Sequence, residues 1–255
     1  MPDVGQPAAP IPASSPSVAI IIDDLGYSLR QGRRAIGLPG AVTCSILPGT
    51  PHAHILAQQA TEAGKEIMLH LPMQGIDTSH IETDSLSPDM TEPVFRDVLR
   101  RQLAAIPEAA GVNNHMGSTL TPLPEQMNWL MDELSQHALY FVDSRTTALT
   151  VGAAAAQQHH VPFTQRDVFL DNDKDPAAIE QAFNKLLRKA RKHGHAVGIA
   201  HAHPVTLAAL ELLLPKLAEQ GIVLEPVSKL LPRQEVPNLT AQNQGAAATS
   251  PPSTP

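Results

Sequence analysis

The stretch Val18-Ala-Ile-Ile-Ile-Asp-Asp-Leu-Gly26 decides how this chain is read. Residues 18–22 are all apolar, with no polar alternation, which marks a strand covered on both faces. A dinucleotide or P-loop fold needs a Gly-rich phosphate loop in the turn that follows, and Asp23-Asp24-Leu25-Gly26 stands there instead. Outward from this segment, β-branched runs alternate with helical periodicity. Further strands are expected over 41–47, 66–71, 111–116, 138–142, within 161–170, over 196–200 and over 222–224. Helices are expected over 28–37, 50–63, 91–106, 122–136, 148–159, 176–193 and 204–219. A loop rich in Pro, Asp and Ser fills 72–90. Roughly seven or eight βα units in one run predict a parallel sheet wrapped by helices. A closed or distorted β/α barrel fits, as does an open doubly wound sheet, in a single domain over 18–233.

Both ends read as linkers. Residues 1–17 are a Pro/Ala-rich leader, and Val236–Pro255 holds no charged residue, so 1–17 and 234–255 are expected to be disordered. The start lacks a basic segment followed by an apolar one, the pattern of an export signal. Either the protein is cytoplasmic or an export signal has already been removed; Pro/Ala-rich leaders often follow such signals, which favours the second and a periplasmic or extracellular location.

Composition narrows the function. The 255 residues carry a net charge of −7, which argues against a general nucleic-acid binder and leaves room only for a local basic patch. A single cysteine, Cys44, excludes an internal disulfide and any Cys-rich zinc module. Aromatic residues make up 3%, with Trp129 the one tryptophan, which disfavours a broad stacking platform. No apolar run reaches the roughly 18 residues of a membrane span. Twelve histidines remain to be explained.

Their placement is informative. The first strand ends in Asp23 and Asp24, and the third in His70. The fourth unit carries Asn113, Asn114 and His115. The fifth strand ends in Asp143 with Arg145 behind it. The sixth region has Arg166, Asp167 and Asp171, and the seventh strand ends in His201 and His203. In β/α folds the carboxyl ends of the strands share one face, where active sites are built. Each residue alone has a plain reading as a helix cap, a turn residue or a satisfied rim histidine. Together they describe a metal site. Two adjacent carboxylates after an apolar run repel one another unless something cationic neutralises them. His52, His54, His80, His137, His159, His160, His193 and His195 fall in helices, loops or helix ends and read as solvated. Met68, Met73, Met116, Met127 and Met131 read as packing.

A mixed Asp/His set suits a divalent ion such as Zn²⁺, which keeps one position open for water. A spare carboxylate beside such an ion can serve as general base, and a histidine opposite can protonate a leaving nitrogen. Asp23, Asp24 and His201 supply those roles.

At this point the residues resemble a known family. The chain is similar to the divergent polysaccharide deacetylases, a distant branch of the carbohydrate deacetylase superfamily. The matching segments are 19–27 (AIIIDDLGY), 70–73 (HLPM), 111–118 (GVNNHMGS), 141–146 (FVDSRT), 168–171 (VFLD) and 198–201 (GIAH). They span the whole expected domain in the family's order. The resemblance implies a distorted β/α barrel with Asp23 as catalytic base, Asp24 as metal ligand and His201 as general acid. The superfamily's two metal histidines normally form a His-x-x-x-His element. Here His70 is followed four residues later by Gln74, so His115 is the candidate for the second imidazole.

The expected function is a metal-dependent hydrolase removing acetyl groups from a polysaccharide or cell-envelope glycan, with Arg145 or Arg166 helping to stabilise the oxyanion. One alternative is a non-catalytic envelope protein on the same fold that binds glycan or a protein partner. Another is a different metal hydrolase, such as an amidase or phosphoesterase.

Overall fold

The computed structural model describes residues 15–77, 82 and 84–231. The leader before Ser15, the tail from 232, and residues 78–81 and 83 of the long loop, His80 among them, lie outside the described residues. Strand β1 (Ser17–Leu25) lies inside the sheet, with β2 (Thr43–Ile46) on one side and β8 (His195–His201) on the other. Beyond β2 come β3 (Glu66–Met73), β4 (Gly111–Met116), β5 (Tyr140–Asp143) and β6 (Phe163–Gln165), and beyond β8 comes β7 (Val168–Phe169). The short β9 (Val223–Leu224) pairs with the start of β1. Every ladder is parallel.

The sheet curls into a barrel, which settles the choice left by the sequence. Its path begins at β6 and ends at β7, two strands joined only by Arg166 and Asp167. The Arg166 N–H donates to the Asp143 carbonyl of β5, and the Asp167 N–H donates to the Val197 carbonyl of β8. One chain segment therefore pairs with β5 first and with β8 next, and the single strand expected within 161–170 is split in two.

Among the described residues, seven helices cover the outside: α1 (Leu29–Ile36), α2 (Ala53–Glu62), α3 (Glu92–Ala105), α4 (Pro124–Gln136), α5 (Gly152–Gln158), α6 (Pro176–His193) and α7 (Pro204–Leu213). Ser28 caps α1 by accepting from the Gln31 N–H, and Asp175 caps α6 by accepting from Ala177 and Ala178. Proline stands in the first turn of α3, α4, α6 and α7, where its missing N–H is no loss. The helix expected over 204–219 stops at Leu213. Pro215 cannot donate back to the preceding turn, and the chain continues in two short 3₁₀ turns.

Residue parity along the strands sorts the apolar side chains. Ala19, Ile21, Met68, Tyr140, Val142, Val197 and Ile199 meet inside the barrel with Val227. Ile20, Ile22, Leu69, Leu71, Val112, Phe141 and Ala200 face outward against Leu56, Phe95, Leu99, Leu130 and Phe183 of the helices. Side chains alternate with a period of two, so a strand covered on both faces is apolar at every position.

Candidate active site and metal centre

The same parity delivers the polar residues. Asp23 is the next inward position after Ala19 and Ile21, and its partner across the β1–β8 ladder is His201, next inward after Val197 and Ile199. On β3, His70 follows Met68 and pairs with Asn113 of β4, while Pro72 pairs with His115. Ser45 reaches in from β2 to Asn113. The top layer of the barrel interior is thus polar, directly above an apolar layer.

Asp24 breaks the alternation. A residue adjacent to inward Asp23 should point outward. The β1–β2 register shifts between Ile22 and Leu25, and Asp24 takes a left-handed φ of 59°. This bulge re-aims its carboxylate over the mouth, so two consecutive carboxylates serve one site. Met116 and Arg145, at the ends of β4 and β5, also have positive φ. Strained backbone of this kind collects at functional sites.

Asn113 clamps the layer together. Its Oδ1 accepts from Ser45 Oγ and from His70 Nδ1, each at 2.8 Å, and its Nδ2 donates to Asp23 Oδ1 at 2.8 Å. With Nδ1 committed to Asn113, His70 turns its Nε2 toward the mouth, where it can ligate an ion that displaces its proton. That Nε2 stands 3.2 Å from Asp24 Oδ1 and 3.1 Å from His115 Nδ1, and His115 Nδ1 stands 3.1 Å from Asp24 Oδ1. The Asp24 Oδ1 atom is buried and receives no aligned hydrogen bond. Ligands around a small tetrahedral ion at ~2.0–2.2 Å stand roughly 3.3–3.6 Å apart. The three atoms form such a triangle after a slight widening, so the donor set fits a divalent cation.

The electrostatics agree. Burial opposes ionisation of Asp24, but the neighbouring imidazoles of His115 and His70 outweigh it and hold the carboxyl well below its usual range. Burial likewise disfavours a charged His70, yet Asp23 and Asp24 push its pKa up to about 9. Two converging carboxylates make this pocket call for positive charge.

His201 closes the other side. Its Nε2 lies 3.7 Å from Asp24 Oδ2. Its Nδ1 is 3.1 Å from Asp171 Oδ1, and Asp171 Oδ2 accepts from the His201 N–H and from Thr206 Oγ1 at 2.8 and 2.9 Å. The ring rests against Phe169 and His203. Burial counts against a protonated His201, but its bond to Asp171 and the nearby Asp24 raise its pKa. Asp171, His201 and His203 also lie close enough together to form a second potential ligand group. The aligned Asp171–His201 bond marks them first as an oriented imidazole. A cavity of about 170 Å³, lined by Gly26, Tyr27 and Gln31, opens beside Asp24 and His201.

The structure therefore brings Asp23, Asp24, His70, His115 and His201 together. The two arginines stand apart in role. Arg166 donates Nε to the Ser144 carbonyl and Nη2 to the Arg145 carbonyl, and lies over the Phe169 ring. It braces the loop after β5. Arg145 has a half-buried side chain that makes no hydrogen bond or ion pair with another described residue. Gln74 accepts from Ser87 Oγ and takes no part in the cluster. Asp143 holds the Arg145 N–H and Thr150 Oγ1, also as a brace. Sequence reading missed the roles of Asn113, Ser45, Asp171 and Thr206. The first two could have been found by counting alternate positions from Gly111 and from Thr43. Thr206 had no sequence signal.

A β/α barrel with an Asp/His cluster on the carboxyl rim of its strands is the class this geometry defines. The sequence profile of the divergent polysaccharide deacetylases matches residues 20–231, and the chain belongs to that family. It is 35% identical over 237 residues to the uncharacterized protein YibQ of Escherichia coli K12, covering 91% of this chain and 74% of that one. The crystal structure of an uncharacterized protein, ATU2773 from Agrobacterium tumefaciens C58, superposes with a TM-score of 0.82 at 27% identity, covering 86% of this chain and 91% of that one. The catalytic domain of a peptidoglycan N-acetylglucosamine deacetylase from Eubacterium rectale shares the fold at a TM-score of 0.54 and 14% identity, over 85% of this chain and 90% of that one.

Proposed function

We propose that this protein is a metal-dependent hydrolase that removes acetyl groups from a cell-envelope glycan, and that it works outside the cytoplasm. One observation carries the reading. The Asp24–His70–His115 triangle, with edges of 3.1–3.2 Å, has Asp23 below it and an Asp171-braced His201 on its far side. Asp24, His70 and His115 would hold a divalent ion, Zn²⁺ by its chemistry with mixed Asp/His donors, which would supply Lewis-acid polarisation of an acyl carbonyl and acidify a water.

The chain's own groups do the rest. Asp23, fixed by Asn113, takes the proton from the attacking water. His201 gives its Nε2 proton to the departing nitrogen, so an acetamide and water become an amine and acetate. Asp171 holds the His201 ring so that Nε2 faces the site and stabilises its charged form. Arg145 keeps its guanidinium donors for the developing oxyanion, while Arg166 holds the loop that carries it.

Zinc content and acetate release from acetylated glycans test this together. The wild type should bind near-stoichiometric metal. Asp23→Asn should keep the metal and lose roughly 10²–10⁴ in kcat. Metal-loaded protein that releases no acetate from any acetylated glycan would overturn the catalytic reading and leave a glycan-binding protein on the same fold.

A further inference from the structure

The half of α6 nearest its C-terminus is the most basic stretch of the molecule. Residues 185–193 hold Lys185, Arg188, Lys189, Arg191, Lys192 and His193 and no carboxylate, in a chain of net charge −7. The buried stripe of α6 is Ile179, Phe183, Leu186, Leu187 and Ala190. At about 100° per residue, Lys185, Arg188 and Lys192 fall within roughly a 60° arc on the opposite side of the helix. All three are exposed.

Neutralising partners are confined to the edges of this face. Lys189 pairs with Asp167 and Arg191 donates to Gln220, but Lys185, Arg188 and Lys192 form no ion pair among the described residues. Cations in the last turn complement the helix dipole, which accounts for Arg191, Lys192 and His193. That effect fades within a turn and does not explain Lys185 and Arg188. The lower border carries His195 and Lys229 beside one carboxylate, Glu225.

Topology fixes where this face points. Helix α6 returns from the carboxyl end of β7 to the start of β8, so its basic end lies at the amino ends of the strands. The Asp24–His201 mouth lies at the carboxyl ends. Anything bound through the basic face leaves the mouth free.

We propose that the outward face of α6 docks this protein on an anionic phospholipid bilayer, with the mouth of the barrel left clear of the membrane. The chemistry favours a bilayer over an individual anion. Lys185, Arg188 and Lys192 stand on a convex helix, with no groove or aromatic ring between them to hold one phosphate or base. Such point charges suit a broad plane of negative headgroups, near which each Lys or Arg is worth about 1 kcal/mol. Since the apolar stripe of α6 is committed to the barrel, binding is electrostatic and salt-sensitive.

The test is co-sedimentation with phosphatidylcholine vesicles, with and without phosphatidylglycerol, at low and high salt. Wild type should bind only the anionic vesicles and release at high salt. The triple variant Lys185→Glu, Arg188→Glu, Lys192→Glu should bind at least about 100-fold more weakly, as three such contributions imply. Its metal content should match wild type. A triple Lys/Arg→Gln variant guards against misfolding by charge reversal. A charge-matched control reversing exposed Arg33, Arg101 and Lys216 should bind better than the α6 variant. Equal loss in that control would overturn the proposal in favour of net charge alone. So would tight binding to soluble polyphosphate with none to vesicles, or unimpaired vesicle binding by both α6 variants. None of these outcomes depends on whether the protein deacetylates glycans.

Discussion

At the floor of the barrel the Glu66 carboxylate accepts from Thr43 Oγ1 at 3.1 Å, from the Tyr140 hydroxyl at 2.9 Å and from the Ser228 N–H at 3.3 Å. At the mouth Asp24 Oδ1 is buried without an aligned donor, facing two imidazole nitrogens at 3.1–3.2 Å. Both layers are polar and inward-facing, and the same apolar layer separates them. The floor satisfies its carboxylate with neutral donors, two at strand starts and one in the 3₁₀ turn Val227–Lys229. Burial and Glu66 keep Tyr140 protonated far above the usual range, so its donor is permanent. The mouth gathers lone pairs, a bulge and left-handed backbone, and leaves a charge deficit for something else to fill. The floor closes the fold, and the mouth leaves its donor set incomplete.

The sharpest way to break this contrast is Asp24→Ala. Metal content by elemental analysis should fall from near-stoichiometric to background. The metal-free protein should also lose stability at neutral pH, because His70 and His115 lose the carboxylate they hold below its usual range, and that loss should shrink as pH falls and Asp24 protonates in the wild type. Unchanged metal content in this variant would mean that the mouth is structural after all.

Gly26→Ala probes the backbone that aims the two aspartates. Gly26 has φ 134°, and an added Cβ would sit 1.9 Å from Thr50 Oγ1. Denaturant unfolding should show a loss of roughly 2–4 kcal/mol, from strain and clash together. A near-neutral result would show that the turn after Asp24 is free to rearrange.

Tyr140→Phe tests the floor. It removes one donor from Glu66 and should cost about 1–2 kcal/mol with metal content unchanged. If metal is lost as well, the two layers are coupled and the contrast fails.

The smallest effect sharpens it on the flank, where Glu133 is held by cations. Arg100 chelates it at 2.7 and 3.0 Å, with Arg96 at 3.6 Å. Burial alone would raise the Glu133 carboxyl, but Arg100 outweighs it and lowers its pKa below the ordinary 4.5. A depressed folded-state pKa stabilises the fold above the unfolded value and loses that contribution as pH falls through the folded one. Arg100→Gln should therefore be less stable than wild type at neutral pH, with the gap narrowing as pH drops below about 4. A gap independent of pH would assign the loss to packing of the arginine stem.

Much of this was legible in the chain. The run 18–22 announced a doubly covered strand, and the alternating patterns placed all seven helices. The strand-end rule picked out Asp23, Asp24, His70, His115 and His201 because parallel strands must end on one face. Local signals served less well at the closure. Nothing in residues 161–170 announces that Arg166 pairs with β5 and Asp167 with β8, since the exchange depends on two distant strands meeting there. Gln74 showed that the usual histidine spacing is missing, and only the β3–β4 register put His115 against His70.

By itself the sequence determined the order of βα units, which positions are apolar and which polar groups stand at strand ends, because these follow from local periodicity. The tertiary structure decided the curl of the sheet, the bulge that turns Asp24 inward, the Asn113 clamp and the Asp171–His201 pairing. Those depend on contacts between residues far apart in the chain, 90 positions between Asp23 and Asn113 and more between Asp23 and His201, and no local pattern records which strand a side chain will meet.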